Sequence, residues 1–213
     1  MPERLVNAFP LFPLGIVALP GEGVPLHIFE ERYKAMIERC LEAGRGSPDS
    51  EFGIVWLSDE ELKPIGCACE VERLIERLPD GRMNILARGC RPFRLLERQD
   101  DLPYPAGVVE FLGDEQEEPD EEAASSAHEL YRELVMQATD RALDAEELRE
   151  MDAYRMAGTV EFPTESKQEL LELRSENARL RTLAALLSAA LERVSLLERA
   201  EARARSNGKV RFE

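Results

Sequence analysis

Histidine and cysteine are scarce in this chain, and their scarcity limits the sites that it can build. It has 213 residues with two histidines and four cysteines. The cysteines are Cys40, Cys67, Cys69 and Cys90. Zinc sites use two cysteine pairs at ligand spacing or cysteine together with histidine, and the sequence offers one C-x-C pair far from either histidine. We therefore expect no metal and no cofactor, and we expect buried, reduced thiols of the kind found in cytosolic proteins.

Catalytic motifs are also missing. No glycine precedes a Lys-Ser or Lys-Thr pair, so the phosphate-binding loop of P-loop NTPases is absent. His27 and His128 lie about a hundred residues apart and form no acid–base constellation. Lys167 follows Ser166 at a predicted helix start, without the partner groups that a nucleophile needs. The sequence predicts a protein that is not an enzyme.

Long apolar runs and basic leader segments are absent as well. No run approaches the ~20 apolar residues of a membrane span. Residues 8–19 are apolar enough to imitate a signal peptide, but Pro10 and Pro13 would break its helix. Before this segment, Arg4 is opposed by Glu3. We expect a soluble, cytoplasmic protein that does not bind membranes.

Positive charge is in deficit. The chain has 27 basic and 43 acidic residues, which gives a formal net charge of −16. The densest basic series is Arg88, Arg91, Arg94 and Arg98. On strands, such a series is typical of a solvated face. A phosphate backbone would meet net repulsion, so no nucleic-acid partner is expected.

Short apolar segments separated by turn signals fill the first half of the chain. Pro10 and Pro13 belong at edge positions of a first strand, and Pro20-Gly21 predicts a turn. A helix is predicted from Ile28 to Ala43, where apolar residues recur at helical spacing. Further strands are predicted up to residue 112. This pattern favours a strongly bent sheet or pseudo-barrel with one packed helix.

Helices are predicted after an acidic segment. Residues 114–122 hold seven acids and no base, which is typical of a solvated linker. Helices follow over 123–141 and 145–157, the second with Asp144 as N-cap. The next has Ser166 or Thr164 as N-cap, and the last runs from Ser175 to about Arg205. Its apolar seam is Leu180, Leu183, Leu187, Ala190, Val194 and Leu197. The seam predicts packing within the chain or, alternatively, self-association through the 176–205 helix.

Several motifs resemble one known family. They are Phe12-Pro-Leu14, Leu19-Pro-Gly21, Pro25-Leu-His-Ile-Phe-Glu-Glu-Arg-Tyr33, Gly89-Cys-Arg-Pro-Phe93, Lys167-Gln168 and Arg179-Leu180. In this order they resemble the N-terminal, substrate-binding domain of Lon protease. The resemblance implies an α+β fold, a PUA-like β-rich globule followed by an α-helical bundle that ends in a long helix. The signature residues Pro25, Leu26, Phe29, Glu30, Arg32 and Tyr33 are expected to be structural, with the rings of Phe29 and Tyr33 buried.

These features predict a division of the chain. A Lon N-terminal-like globule is expected over 1–113, an acidic linker over 114–122, a helical subdomain over 123–205 and a tail over 206–213. Full Lon proteases continue into ATPase and peptidase modules, whereas this sequence ends at Glu213. A stand-alone protein of bacterial type is therefore expected.

The resemblance also implies a function, namely non-catalytic recognition of polypeptides. Unfolded or extended segments would bind at the edge of the first strand, with Pro20 and Val24 in the turn above it as candidate partner-binding residues. An alternative is an adaptor that docks one folded partner protein through its helical half. RNA binding, by analogy with PUA-like domains, is opposed by the net charge.

Overall fold

The computed structural model describes residues 5–59 and 61–207. The chain divides into two compact units, one of residues up to 117 with 154–176, the other of 118–153 with residues from 177 onward. The sequence had placed all of 123–205 in one helical subdomain. The structure instead assigns 154–176 to the β-rich unit, where the Gln168 side chain donates to the Ile65 carbonyl oxygen (3.2 Å).

Seven strands form the sheet of the first unit. They are β1 (Leu5–Leu14), β2 (Gly23–Ile28), β3 (Glu51–Ser58), β4 (Glu61–Leu62), β5 (Ile65–Arg77), β6 (Met83–Gln99) and β7 (Ala106–Phe111). Antiparallel pairing runs in the order β1-β7-β6-β5-β3, and β3 then pairs in parallel with β1. The strands therefore close into a ring, which confirms the predicted pseudo-barrel. β2 adds to β6 outside the ring, and β4 extends β3.

Aromatic rings fill the barrel interior. The ring of Phe93 lies edge-to-face against Phe9 at 5.4 Å between centroids, within a cluster that includes Leu11 and Val109. Gly53 and Gly66 make room for Phe93, because a Cβ at either position would lie 2.5 or 2.7 Å from its ring. Such contacts are too close to exist, so these glycines are required by packing.

Helix α1 (Glu31–Ala43) packs on the other face of β1. The Tyr33 ring lies 4.1 Å from the Phe12 ring between centroids. The buried residues of α1 are Tyr33, Met36, Ile37 and Cys40. The helix begins at Glu31 rather than Ile28, because β2 continues to Ile28. Phe29 consequently lies off the buried stripe and is 59% exposed, so its predicted burial was wrong, whereas that of Tyr33 is confirmed.

Two short helices complete the first unit, α4 (Ala153–Ala157) and α5 (Thr164–Glu172). The predicted helix over 145–157 is broken, because the Met151 N–H bonds to the Leu148 carbonyl oxygen and closes the preceding helix with an i→i+3 bond. The N-cap of α5 is Pro163, without a side-chain hydrogen bond. Both predicted caps, Thr164 and Ser166, therefore lie inside the helix.

The second unit contains α2 (Glu121–Thr139), α3 (Ala145–Arg149) and most of α6 (Glu176–Asn207). Asp144 is the N-cap of α3, as predicted, and it also forms a capping box with Glu147. Along α6 the buried apolar residues are Leu180, Leu183, Leu187 and Leu191. The seam thus passes through Leu191 instead of Ala190, and the side chain of Leu197 lies outside the described residues. Most of the predicted 206–213 tail also lies outside them.

The acidic segment is tied to the chain before α6. The Glu115 N–H donates to the Arg174 carbonyl oxygen (2.8 Å), and the Ser175 hydroxyl donates to the Glu117 carboxylate (2.8 Å). The acidic side chains of residues 114–118 are exposed, as a solvated linker requires, but the backbone is held. Among the described residues, no helix is long and apolar enough to cross a membrane.

Candidate functional site

A groove opens in the first unit where β1 ends. Its volume is about 310 Å³, near the lower limit of small ligand pockets. One wall is formed by residues 11–14 of β1. The other lining residues are Glu30, Arg32, Tyr33, Leu57, Leu62, Arg98 and Pro105. They come from the start of α1, the β3–β4 hairpin, the end of β6 and the segment before β7, so the fold brings distant parts of the chain together here.

The groove runs along the edge of β1 rather than against one of its faces. Successive side chains of a strand point to opposite faces. Four consecutive residues, 11–14, nevertheless line the same groove. Leu11 belongs to the barrel interior and is 1% exposed, whereas the Phe12 ring packs on Tyr33, so the side chains of neighbouring residues lie on opposite faces of β1.

Two prolines stop the hydrogen-bond ladder at this edge. The Leu11 N–H donates to the Pro105 carbonyl oxygen at 2.8 Å. In an antiparallel pair of this type, the partner residue returns a second bond, but Pro105 has no N–H with which to reach the Leu11 carbonyl oxygen. Main-chain groups alternate in direction along a strand, so Pro13 faces the same side as Leu11. Pro13 also lacks an N–H, so it adds a carbonyl acceptor and no donor.

Charged groups surround the mouth of the groove. The Arg32 guanidinium pairs with the Glu30 carboxylate at 2.8 Å and lies 4.6 Å above the centre of the Tyr33 ring. Burial raises the pKa of the Tyr33 hydroxyl above its ordinary value, with Arg32 acting in the opposite direction. The hydroxyl is therefore protonated at neutral pH. Arg98 is held more loosely, 3.8 Å from the Asp100 carboxylate, with its side chain 64% exposed.

Comparison with protein families identifies the fold around this groove. Residues 8–189 match the family described as the ATP-dependent protease La (LON) substrate-binding domain. The chain belongs to this family. The resemblance found in the sequence is confirmed, and the Lon signature residues can be located in the structure.

Two relatives illustrate how far the Lon similarity extends. The chain is 30% identical to the Lon protease of Paraburkholderia phytofirmans over 127 residues, covering 53% of this chain and 15% of that protein. It is 24% identical to Lon protease 2 of Herpetosiphon aurantiacus over 205 residues, covering 88% of this chain and 24% of that protein. The chain thus spans about a quarter or less of these relatives.

Solved Lon structures support the fold. The structure of a Lon N-terminal domain protein from Xanthomonas campestris aligns with a TM-score of 0.64 at 26% identity, covering 84% of this chain and 98% of that one. The N-terminal domain of a Mycobacterium avium complex Lon protease aligns with a TM-score of 0.62 at 20% identity, covering 85% and 98%. The second likeness concerns the fold alone.

The Lon signature residues separate into two groups. Pro25 and Leu26 lie on β2, and exposed Phe29 stacks on His27 at 5.9 Å between ring centroids. Glu30, Arg32 and Tyr33 line the groove. All six were expected to be structural, and the structure places the last three where they can also contact a ligand.

The turn that was predicted to bind a partner is packed instead. Val24 is 6% exposed and pairs with Ala87 of β6, so its side chain faces the interior rather than a partner. Pro20 is half-buried. The neighbouring Glu22 carboxylate accepts from the Leu19 N–H (3.0 Å) and pairs with Lys167. These contacts hold the turn to the fold.

The cysteines lie away from the groove and are free thiols. Cys40, Cys67 and Cys69 are buried and Cys90 is half-buried. Burial raises the pKa of Cys40 to about 11 and that of Cys90 to about 12, so both are protonated at neutral pH. Over the part of the chain that the structure describes, no group of three or more His, Cys, Asp or Glu side chains is placed to hold a metal ion.

Sequence reasoning placed the binding of extended segments at the edge of the first strand, but it missed the other lining residues because they come from four further segments. Leu57, Leu62 and Pro105 belong to none of the sequence motifs described above, and Arg98 was assigned to a solvated basic face. One signal was present: Pro13 inside β1 and Pro105 directly before β7 both lack a main-chain N–H. Only the folded structure shows that the two prolines line the same groove.

Proposed function

We propose that this chain binds extended segments of unfolded polypeptide in the groove beside β1 and does not itself catalyse a reaction. The observation that carries the proposal is a groove of about 310 Å³ at the end of β1, lined by apolar side chains with charged groups at its mouth, in a fold whose family is described as substrate-binding. Main-chain hydrogen bonds at a strand edge give affinity with little dependence on side-chain sequence. Such sequence-tolerant binding suits unfolded polypeptides, which share exposed main-chain groups rather than a common sequence.

Apolar side chains around the edge would contact the side chains of the bound segment. Leu57 is 42% exposed, and it pairs with Leu62 across the β3–β4 hairpin. Burying the exposed surface of Leu57 under an apolar side chain of the ligand would make the free energy of binding more favourable. A folded partner would present few free main-chain groups to this edge, so the groove favours the unfolded-segment hypothesis over a single-partner adaptor.

The groove's charges do not favour nucleic acid. Arg32 is already paired with Glu30, and the net charge of the chain is −16. A phosphate-backbone ligand gains affinity through several released counterions, which requires several free basic groups. The free thiols support a reducing, cytoplasmic location as part of the same proposal.

The proposal is tested by titrating a fluorescently labelled test protein, kept unfolded by reducing and alkylating its cysteines, with the full chain and following anisotropy. We expect saturable binding with a Kd of roughly tens of micromolar, as for other weak, sequence-tolerant recognition. Leu57→Glu should weaken binding by about tenfold or more, because it brings a charge into the apolar groove. Its urea unfolding midpoint should be unchanged.

The matched control is Leu74→Glu. Leu74 is a strand leucine of similar exposure, 36%, outside the groove. The Leu74→Glu variant should bind the unfolded test protein with the same Kd as the original chain. No saturable binding at these concentrations would refute the proposed function, and equal weakening by both substitutions would refute the groove as its site. Crosslinking in cells that captured one stoichiometric folded partner and no unfolded clients would favour an adaptor instead.

A further inference from the structure

We infer that the groove prefers unfolded segments in which a few apolar residues are flanked on both sides by lysine or arginine. This inference rests on the proposed function and names the substrate class of the same site. It follows from the charges of the two loops that border the groove, because both loops are acidic while the groove between them is lined mainly by apolar side chains.

The first border is the turn between β3 and β4. Leu57 and Leu62, at the two ends of this hairpin turn, line the groove. Residues 58–63 hold three acids and one base, so this border carries a net charge of −2. Asp59 and Glu61 are exposed. A ligand whose apolar side chain contacts the two leucines therefore has carboxylates beside it.

The second border is the loop that joins β6 to β7. Residues 99–104 hold two acids and no base. Arg98, which lines the groove, lies 3.8 Å from the Asp100 carboxylate and offsets one of these acids. Asp101 is exposed and is the second acid of the loop. Arg98 and the loop together carry a net charge of −1, so this border is acidic as well.

The charges at the mouth of the groove do not reverse this balance. The Arg32 guanidinium pairs with the Glu30 carboxylate at 2.8 Å, so these two charges cancel. A ligand carboxylate would be repelled by both borders, and the chain as a whole carries a charge of −16. A ligand with basic groups on both sides of its apolar residues complements the groove and its borders.

The distance between the borders sets the spacing of the basic groups. β3 and β7 pair with β1 on its two sides, and one bordering loop follows β3 while the other precedes β7. Neighbouring strands lie about 4.8 Å apart, so the two outer strands are separated by roughly 10 Å. An extended chain rises about 3.3 Å per residue and covers this distance with about three residues. We therefore expect about three apolar residues between the basic ones.

The two kinds of contact have different roles. Ion pairs between exposed groups contribute little free energy each, and salt screens them. Burial of apolar side chains does not depend on such pairing and supplies most of the affinity. The acidic borders then determine which unfolded segments bind best, and this preference weakens as the salt concentration rises.

The ligand side is tested with three labelled peptides of about 11 residues, capped at both ends. They share the apolar centre Leu-Val-Leu in a Ser/Gly background and carry Lys, Gln or Glu on both sides of it. At about 50 mM salt we expect the Lys peptide to bind about tenfold more tightly than the Glu peptide, with the Gln peptide between them. At about 1 M salt this ratio should fall below about twofold.

The protein side is tested with Glu61→Gln/Asp101→Asn, which removes one exposed acid from each border. The ratio of the Kd values for the Glu and Lys peptides should fall about threefold or more, with an unchanged urea unfolding midpoint. The matched control is Glu42→Gln/Glu115→Gln, which changes the net charge equally at exposed sites of the same unit. Glu42 lies near the far end of α1, and neither control residue lines the groove. The control should keep the original ratio within about twofold.

Failure of this inference is distinguishable from failure of the proposed function. If the Gln peptide binds and Leu57→Glu weakens it, but the Lys and Glu peptides bind equally or the Glu peptide binds more tightly, the inference is overturned and the proposed function survives. Equal loss of the preference in the border variant and its control would also overturn it, because the effect would then come from net charge alone. If neither the peptides nor the unfolded test protein bind, both fail.

Discussion

Two proline-bearing regions lie close together in the sequence, the turn at residues 19–24 and the strand end at residues 11–14, and they differ in what happens to their main-chain groups. In the turn, the Gly21 N–H donates to the Gly89 carbonyl oxygen at 2.8 Å, and the Gly89 N–H donates to the Glu22 carbonyl oxygen at 2.9 Å. The Arg88 side chain donates to the Gly21 carbonyl oxygen at 2.9 Å. These main-chain groups of the turn are hydrogen-bonded to residues of β6.

At the strand end, the same kind of residue has the opposite effect. Pro105 has no N–H to return to Leu11, Pro13 has no N–H for a neighbouring strand, and the pairing of β1 with β7 extends no further than Pro10. A high density of proline and glycine therefore does not distinguish a structural turn from a binding site. The two are distinguished by whether neighbouring strands supply hydrogen-bond partners for the main-chain groups.

The largest expected effect is a difference in stability loss between substitutions of two aromatic residues on either side of the start of α1. Tyr33→Ala should lower the free energy of unfolding by about 3 to 5 kcal/mol, because its ring is buried against Phe12. Phe29→Ala should cost less than about 0.5 kcal/mol, because that ring is mostly exposed. Urea unfolding followed by circular dichroism measures both. Equal losses would mean that Phe29 is buried in solution.

A smaller effect is expected where the turn is tied to α5. The Lys167 and Glu22 side chains are each 14% exposed and form an ion pair. Lys167→Met should lower the free energy of unfolding by about 1.5 to 3 kcal/mol, since the Glu22 carboxylate loses the Lys167 ammonium and keeps its hydrogen bond from the Leu19 N–H. Combining it with Glu22→Gln should recover part of this loss in a double-mutant cycle. Strictly additive losses would show that the turn is not held by this pair.

Sequence patterns predicted helix ends correctly where interactions between residues close in sequence determine them. The N-cap at Asp144 and the end of α1 at Ala43, followed by Gly44 with a φ of +75°, were predictable because backbone geometry at such positions depends on the local residues. The closed ring of strands followed from strand density together with the family resemblance.

Other features depended on register and could not be read from the chain. Phe29 fits the helical stripe of Tyr33 and Met36, yet it lies outside α1 because pairing with β6 extends β2 to Ile28. The assignment of 154–176 to the first unit depends on contacts such as that of Gln168 with Ile65, 103 residues apart in sequence. The sequence placed binding at the edge of the first strand, but the groove residues outside β1 could not be predicted for the same reason, since only the folded chain brings them together.

The smallest expected effect concerns a single atom at the groove edge. Pro13→Ala adds an N–H at this position of β1, and this N–H can donate a hydrogen bond to a main-chain carbonyl oxygen of a bound peptide. We expect peptide affinity to rise about fivefold, with a loss of about 1 kcal/mol or less in stability. The control is Pro10→Ala, because residue 10 lies an odd number of positions away and directs its main chain to the side opposite to that of Pro13. Equal affinities of the two variants would show that the edge at residue 13 does not face the ligand, whereas a gain confined to Pro13→Ala would place the bound strand against β1.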